Sequence, residues 1–222
     1  MKKAIVLFSG GQDSTTCLYW AKKHFDYVEA LTIDYGQKHI IEIESAKKIA
    51  ELAKVKHTIY PLDFLQKMND SALLQSSTTK VDDVATHDNN LPASFVPGRN
   101  ILMLMLIAIY GYKNEIYDIV TGVCQTDYSG YPDCRDNTIK ATQLALSLGL
   151  GKDVIIHTPL MFMTKSEEVK LASTLEGCME ALSFSHTCYN GKFPPCGECP
   201  ACKLRAKGFD EAGVLDPIYT KK

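Results

Sequence analysis

The stretch KAIVLFSGGQDSTTCL, Lys3 to Leu18, joins an apolar run to the start of a helix through two adjacent glycines. Lys3 to Phe8, apolar from Ala4 onward, reads as a short buried strand, and Asp13 to Lys23 as the helix behind it. A turn without side chains at Gly10 and Gly11 lets the main chain approach a ligand, and both glycines are free to take positive φ. The N–H groups of the first helical turn and the helix dipole favour an anion at that point, so phosphate is the expected occupant. It is not a Walker A loop, because no Gly-Lys-Ser/Thr follows and the turn has no cation of its own. The counter-charge must come from elsewhere. Lys165 and Arg99, each opening a later helix, are the candidates, with Mg²⁺ as the usual supplement. A capping box of Ser9 and Gln12 around a tight turn is the reading that needs no ligand.

Outward from this turn the strand–helix cycle repeats. Strands are expected at Tyr27 to Ile33, Lys56 to Tyr60, Glu115 to Thr121 and Val154 to Thr158, and helices at Ile41 to Ala53, Arg99 to Tyr112, Asp136 to Leu148 and Lys165 to Leu175. Five strands alternating with helices predict an α/β fold with a doubly wound parallel sheet. Such sheets bind ligands beyond the carboxyl ends of their strands, where the glycine turn stands. Residues 69–97 are polar and without sustained period, and read as a lid or as a surface excursion. The tail after Arg205 carries no interpretable pattern.

At 222 residues and 45% hydrophobic content the chain suits one α/β domain with a small appended module. Acids and bases nearly cancel, 26 against 24, so no long-range field draws in nucleic acid. The apolar run Ile101 to Tyr112 is too short to span a bilayer, and too little apolar sequence follows Lys2-Lys3 for a secretory signal. The expectation is a cytoplasmic protein with neither membrane nor nucleic-acid partners.

Four of the eight cysteines, Cys188, Cys196, Cys199 and Cys202, follow the spacing C-x7-C-x2-C-x2-C. Four thiolates that close in sequence can surround one tetrahedral ion, and Zn²⁺ in a closed, structural site is the first expectation, with an iron–sulfur cluster as competitor. Gly191, Pro194, Pro195 and Gly197 favour turns between the ligands. Cys17, Cys124 and Cys178 read as small buried hydrophobes.

Ser9, Gly10, Gly11, Asp13 and Ser14 match S-G-G-x-D-S, and here the chain resembles the PP-loop ATP pyrophosphatase superfamily. With YGQKH (Tyr35–His39), PGRN (Pro97–Asn100), TGVCQTDYSGYPDCR (Thr121–Arg135) and CYNGKFPPCGECPAC (Cys188–Cys202) it resembles, more narrowly, the 7-cyano-7-deazaguanine synthase family of queuosine biosynthesis. The resemblance implies an adenine nucleotide alpha hydrolase-like fold, with a PP-loop domain over 1–187 and a zinc knuckle and tail over 188–222. It implies that ATP is held by its β,γ-pyrophosphate while the α-phosphorus meets a substrate oxygen. On this resemblance Phe8, Ser9, Gly10, Gly11, Gln12, Asp13, Ser14, Thr15, Thr16, Cys17, Leu18 and Arg99 are expected at the nucleotide. Tyr35, Gln37, His39, Asp127, Tyr128, Tyr131, Asp133 and Arg135 are expected at the substrate, and Asp13, Lys165, Asp127 and Asp133 in catalysis. His39 is a further candidate base. The implied reaction converts 7-carboxy-7-deazaguanine and ammonia to the nitrile through adenylated acid and amide, releasing AMP and pyrophosphate, in a homodimer.

Two other functions fit parts of this pattern. A PP-loop tRNA-thiolating enzyme would need a reactive thiol, for which Cys124 and Cys134 qualify, and a basic surface, which the charge balance does not supply. A non-catalytic nucleotide-binding zinc module would bind ATP and release no AMP.

Overall fold

Ala4, Ile5 and Val6 are all fully buried, because β1 (Lys3–Leu7) has strands on both edges and helices on both faces. The computed structural model describes residues 1–36, 40–62, 95–126 and 131–220. Most of the polar 69–97 stretch lies outside these residues, as do Gln37, His39, Asp127 and Tyr128.

Among the described residues the chain runs β1, α1 (Gln12–His24), β2 (Tyr27–Asp34), α2 (Ile40–Ala53), β3 (Lys56–Pro61), α3 (Arg99–Asn114), β4 (Asp118–Val120), a 3₁₀ turn (Pro132–Cys134), α4 (Asp136–Leu150), β5 (Ile155–His157), α5 (Lys165–Ser173), α6 (Cys178–Leu182) and α7 (Pro200–Ala212). The five strands form one parallel sheet in the order β3-β2-β1-β4-β5. The chain therefore winds from β1 to one edge and returns to build the other, and a crevice opens at the carboxyl end of β1 where the direction reverses.

Alternation along β1 feeds two cores. Ala4, Val6 and Phe8 pack with Leu18, Ile49, Val169, Leu182 and Phe209 on one face. Ile5 packs with Leu104, Ile107, Ile119 and Ile156 on the other. α1 keeps Asp13 in its first turn and Lys22, Lys23 and His24 in its last, as the helix dipole favours.

One strand start and two whole helices depart most from the sequence reading. Glu115, expected to open a strand, instead caps α3 in the left-handed region at φ 56°, so β4 is confined to Asp118–Val120. α6 and α7 were not expected. α7 begins inside the cysteine cluster, with Cys199 at its N-cap and Pro200 in its first turn, where a proline costs no hydrogen bond.

The tail also has a definite role. The buried Arg205 of α7 grips Asp216 through Nε (2.6 Å) and Nη2 (2.8 Å), and donates to Ser185 Oγ (2.7 Å), Thr187 Oγ1 (3.0 Å) and Leu182 O (3.1 Å). This planar fork ties both the strap after α6 and the C-terminal segment to α7. No helix among the described residues is long and apolar enough to cross a membrane.

Candidate active site

The turn after β1 is shaped by backbone crowding. Gly10 has φ 80°, and a Cβ there would lie 2.6 Å from Ala46 N and 2.8 Å from Glu42 O, so the main chain of α2 presses directly on the turn. Gly11 departs from expectation. It sits in extended backbone at φ −77° as the N-cap of α1, and no side chain caps that helix. The capping box of Ser9 and Gln12 does not form. Ser9 Oγ instead accepts from Gly11 N (3.3 Å) and meets Ser14 Oγ (3.1 Å), while Ser14 Oγ donates to Gly11 O (3.2 Å). Thr15 Oγ1 also donates to Gly11 O (2.7 Å). The start of α1 thus keeps its amides for an outside acceptor. Gln12 Nε2, buried and with no hydrogen-bond partner among the described residues, adds a spare donor to the same turn. The side chains of Phe8, Cys17 and Leu18 lie in the core beneath the turn. Burial pushes the Cys17 thiol well up.

Two neighbours brace the turn. Gly122, after β4, would place a Cβ 3.1 Å from Asp13 C and Cβ. On the other flank His186 N donates to Gly10 O (3.0 Å), and its ring Nε2 donates to Cys188 O (3.0 Å). The cysteine cluster is therefore tethered to the phosphate turn through one histidine.

The counter-charge comes from α5. Thr164 and Glu167 form a capping box that fixes the start of this helix. Lys165 Nζ then reaches Asp13 Oδ1 (2.6 Å) and Glu168 Oε2 (3.0 Å), and Glu168 Oε1 accepts from Thr16 Oγ1 (3.3 Å). Glu168 was missed in the sequence, although its position three residues after Lys165 on one helix face was the available signal.

Across the crevice, Arg99 opens α3 after Gly98. Its guanidinium donates to Tyr35 Oη (3.3 Å) and lies 5.6 Å from that ring's centroid. Burial opposes its charge, but Tyr35, Tyr131 and Asp133 favour it, and the group is held firmly protonated. Burial raises the Tyr35 and Tyr189 phenols, with Arg99 acting against it in both. Tyr189, next to Cys188, feels Tyr131, Arg99 and Asp13 together, so this edge gathers groups from both halves of the sheet. Asp133 is buried and its Oδ2 accepts from Asn100 N (3.0 Å), which caps the start of α3. Cys134 Sγ accepts from Asn100 Nδ2 (3.2 Å), and Arg135 is exposed at the N-cap of α4.

The sulfur atoms of Cys188, Cys196, Cys199 and Cys202 lie within 4.8 Å of one another, with Cys196 and Cys202 3.9 Å apart. Tetrahedral thiolates at about 2.3 Å from a zinc ion would be about 3.8 Å apart, so the donor set fits. An iron–sulfur cubane would spread them further, since each sulfur then sits on a different iron. Backbone N–H groups of Cys199 and Glu198 pull the Cys196 thiol down to about 6, toward the form that binds metal. His186 does not join the four sulfurs, its Nε2 being bonded to Cys188 O.

Residues 3–213 match the family model for queuosine biosynthesis protein QueC. A protein of Chromobacterium violaceum named 7-cyano-7-deazaguanine synthase is 53% identical over 222 residues, covering 99% of this chain and 94% of that one. One of Staphylococcus saprophyticus with the same name is 48% identical over 210 residues, covering 94% and 92%. Among solved structures, a predicted subunit of tRNA methyltransferase from Methanocaldococcus jannaschii superposes with TM-score 0.51 at 21% identity, over 78% of this chain and 75% of that one. A 4-thiouridine synthetase in complex with RNA and ATP superposes with TM-score 0.55 at 15% identity, over 96% of this chain and 50% of the larger one. The two structural likenesses concern the fold alone. The sequence match spans the phosphate turn, the arginine–tyrosine edge and the cysteine cluster in one alignment, and by it the chain belongs to the queuosine biosynthesis protein QueC family.

Proposed function

We propose that this chain is a 7-cyano-7-deazaguanine synthase, an ATP-dependent ligase that turns 7-carboxy-7-deazaguanine and ammonia into the nitrile. The observation that carries this reading is the pairing of Lys165 with Asp13 at the uncapped start of α1, facing Arg99, Tyr35, Tyr131 and Tyr189 across one crevice. A carboxylate repels nucleophiles and has no leaving group, and adenylation removes both obstacles. Ammonia then displaces AMP to give the amide. A second adenylation, on the amide oxygen, allows elimination to the nitrile.

In this scheme Ser9, Gly11, Asp13 and Ser14 cradle the β,γ-phosphates, and Lys165 and Arg99 supply positive charge. Two carboxylates, Asp13 and Glu168, share one ammonium, so the turn suits a further cation. Mg²⁺ would be held by Asp13, whose side chain is a third exposed, and would supply counter-charge to the triphosphate. Tyr35 and Tyr131 offer ring faces to a purine-like base, and Arg99 suits the acid group. Gln37, His39, Asp127, Tyr128 and Arg135 complete the substrate contacts, while Asp133 serves by capping the helix that carries Arg99. Residues 1–187 carry the nucleotide chemistry and 188–222 brace it, with Zn²⁺ in the four-cysteine site. A tRNA-thiolating reading finds little support in Cys124, which is buried and donates its thiol hydrogen to Met163 O (3.3 Å).

The enzyme acts as a homodimer in the cytoplasm. In support, Ile101, Met105, Ile109 and Tyr112 leave an exposed apolar stripe along one face of α3, with no charged residue between Ile101 and Tyr112 to oppose burial against a second copy.

The test is direct: purified protein is incubated with ATP, ammonium and 7-carboxy-7-deazaguanine, and AMP, pyrophosphate and product mass are followed. Absence of acid-dependent AMP sinks the proposal.

A further inference from the structure

Glu42 lies in the first turn of α2, the helix whose backbone presses on the phosphate turn at Gly10. Its side chain is half-buried. Its carboxylate is within electrostatic reach of Arg99, from the start of α3, and of the Tyr35 phenol, from the turn after β2. Its main-chain oxygen forms part of the wall against Gly10, so the residue joins the nucleotide turn to the arginine–tyrosine pair assigned to the acid substrate. No hydrogen bond to its carboxylate exists among the described residues, so its oxygens are uncommitted.

The other described carboxylates at this edge have employment elsewhere. Asp13 is held by Lys165, Glu168 by Lys165 and Thr16, and Asp133 by the backbone of Asn100. Asp34 Oδ1 accepts from Gly36 N (3.1 Å). Each of these carboxylates serves a structural bond that protonation would weaken. Glu42 serves none among the described residues.

The reaction proposed above takes three protons from one atom, because ammonia brings three and the nitrile nitrogen keeps none. When ammonia attacks the acyl adenylate, the C–N bond forms, the C–O bond to AMP breaks, and the nitrogen sheds the first proton. When the amide oxygen attacks the second ATP, pyrophosphate leaves and the nitrogen sheds the second proton to give a neutral adenylated imidate. When this collapses, the C–O bond to the second AMP breaks, the C≡N bond completes, and the same nitrogen gives up its last proton. Because the nitrogen keeps its place on the carbon throughout, one fixed base that passes each proton on to solvent before the next can serve amide formation and nitrile formation alike.

We infer that Glu42 is this general base, accepting the proton from the substrate nitrogen in amide formation and again in nitrile formation. The inference rests on the ligase reading of the site. Burial supports it by raising the Glu42 carboxyl to about 7, against the opposing pull of Arg99, so that both proton-accepting and proton-releasing forms exist at neutral pH. The missing hydrogen bonds support it too, because the lone pairs that must meet the N–H are not already committed.

The experiment compares the wild type with Glu42→Gln and Glu42→Asp in two assays. The first is acid-dependent ATP–pyrophosphate exchange without ammonia, which reads nucleotide binding and adenylation. The second is amide and nitrile formation against pH at constant free ammonia. Glu42→Gln is expected to keep exchange within about 3-fold and to lower nitrile formation by roughly 10²–10⁴-fold, the usual contribution of a positioned base. The KM for the acid stays near that of the wild type, the acidic limb of the kcat/KM profile near pH 7 disappears, and Glu42→Asp recovers part of the rate. Retained exchange in the same variant also establishes that the fold and the nucleotide site are intact. Wild-type turnover in Glu42→Gln overturns the inference while leaving the ligase reading in place. So does a variant whose only change is a raised KM for the acid with the pH profile unaltered, which would make Glu42 a recognition group. A wild type that forms no acid-dependent AMP overturns the ligase reading, and the base assignment with it.

Discussion

Lys165 Nζ lies 2.6 Å from Asp13 Oδ1, joining two helix starts that are 152 residues apart in the chain. Each helix emerges at the carboxyl edge of the sheet, so the contact is a product of the winding. It places the cation that the phosphate turn lacks.

Lys165→Ala is therefore expected to lower acid-dependent AMP formation by on the order of 10²–10³-fold, the scale for removing one charge-stabilising group. It also strips the enclosed Glu168 of its cation, at a stability cost of about 3 kcal/mol. Adding Glu168→Gln should restore much of that stability in urea denaturation without restoring AMP release. Recovery of activity in the double variant would contradict the role given to Lys165.

Gly208 of α7 controls the same lysine from behind. A Cβ at Gly208 would lie 2.7 Å from Lys165 Cβ and 3.2 Å from Lys165 C, closer than packed atoms allow. Gly208→Ala should push α7 away from α5, lower stability by about 1–3 kcal/mol and raise the KM for ATP more than it lowers kcat. An unchanged ATP dependence, measured by pyrophosphate release, would show that α7 does not position Lys165.

Cys199→Ser removes one of four sulfurs that lie within 4.8 Å of one another, and does so at the N-cap of α7. Metal content measured by mass spectrometry and thermal stability should fall together, because metal binding is coupled to local folding. ATP affinity should weaken as well, since His186 links Gly10 O to the peptide of Cys188. A metal-free variant of full stability and affinity would separate the cluster from the site.

Glu29, at the opposite edge of the sheet, predicts a pH effect on stability alone. Burial works against its charge, but hydrogen bonds from Tyr110 (2.5 Å) and Tyr27 (2.6 Å), with Lys56 (3.2 Å), outweigh it and lower the carboxyl below its ordinary value of 4.5. The folded state then binds fewer protons than the unfolded one between the two values. The stabilisation is complete above pH 4.5 and is lost as pH falls through the folded-state value. Glu29→Gln should cost about 2 kcal/mol at pH 7 by urea denaturation, with the difference from wild type shrinking in acid and turnover per folded molecule unchanged. A gap that stays constant down to pH 2 would contradict this account.

Disruption of the apolar stripe offers a fifth check. Met105→Glu with Ile109→Glu should shift the protein to a monomer in sedimentation, leaving the fold intact, because both side chains already face solvent in the single chain. A dimer that persists would place the interface elsewhere.

The sequence by itself determined what neighbouring residues can encode. The buried run of β1, the bare turn after it, the apolar periods of the helices and the C-x2-C-x2-C spacing are local signals, and each follows from backbone conformation or ligand reach within a few residues. Recognition of S-G-G-x-D-S and its companion motifs carried the family with them. Even locally, a left-handed cap at Glu115 and a helix opening at Pro200 escaped, because caps depend on one residue's conformation and not on a repeating pattern.

Only the tertiary structure decided which distant residues share the crevice. It enclosed Glu168 between Lys165 and Thr16, tied the cysteine cluster to Gly10 through His186, committed Asp133 to capping α3, and brought the Glu42 carboxylate within reach of the Arg99 charge. The physical reason is that charge pairing and burial depend on distances of a few ångströms between segments separated by dozens of residues. Those distances are set by the order in which the strands assemble around β1, which no stretch of sequence contains.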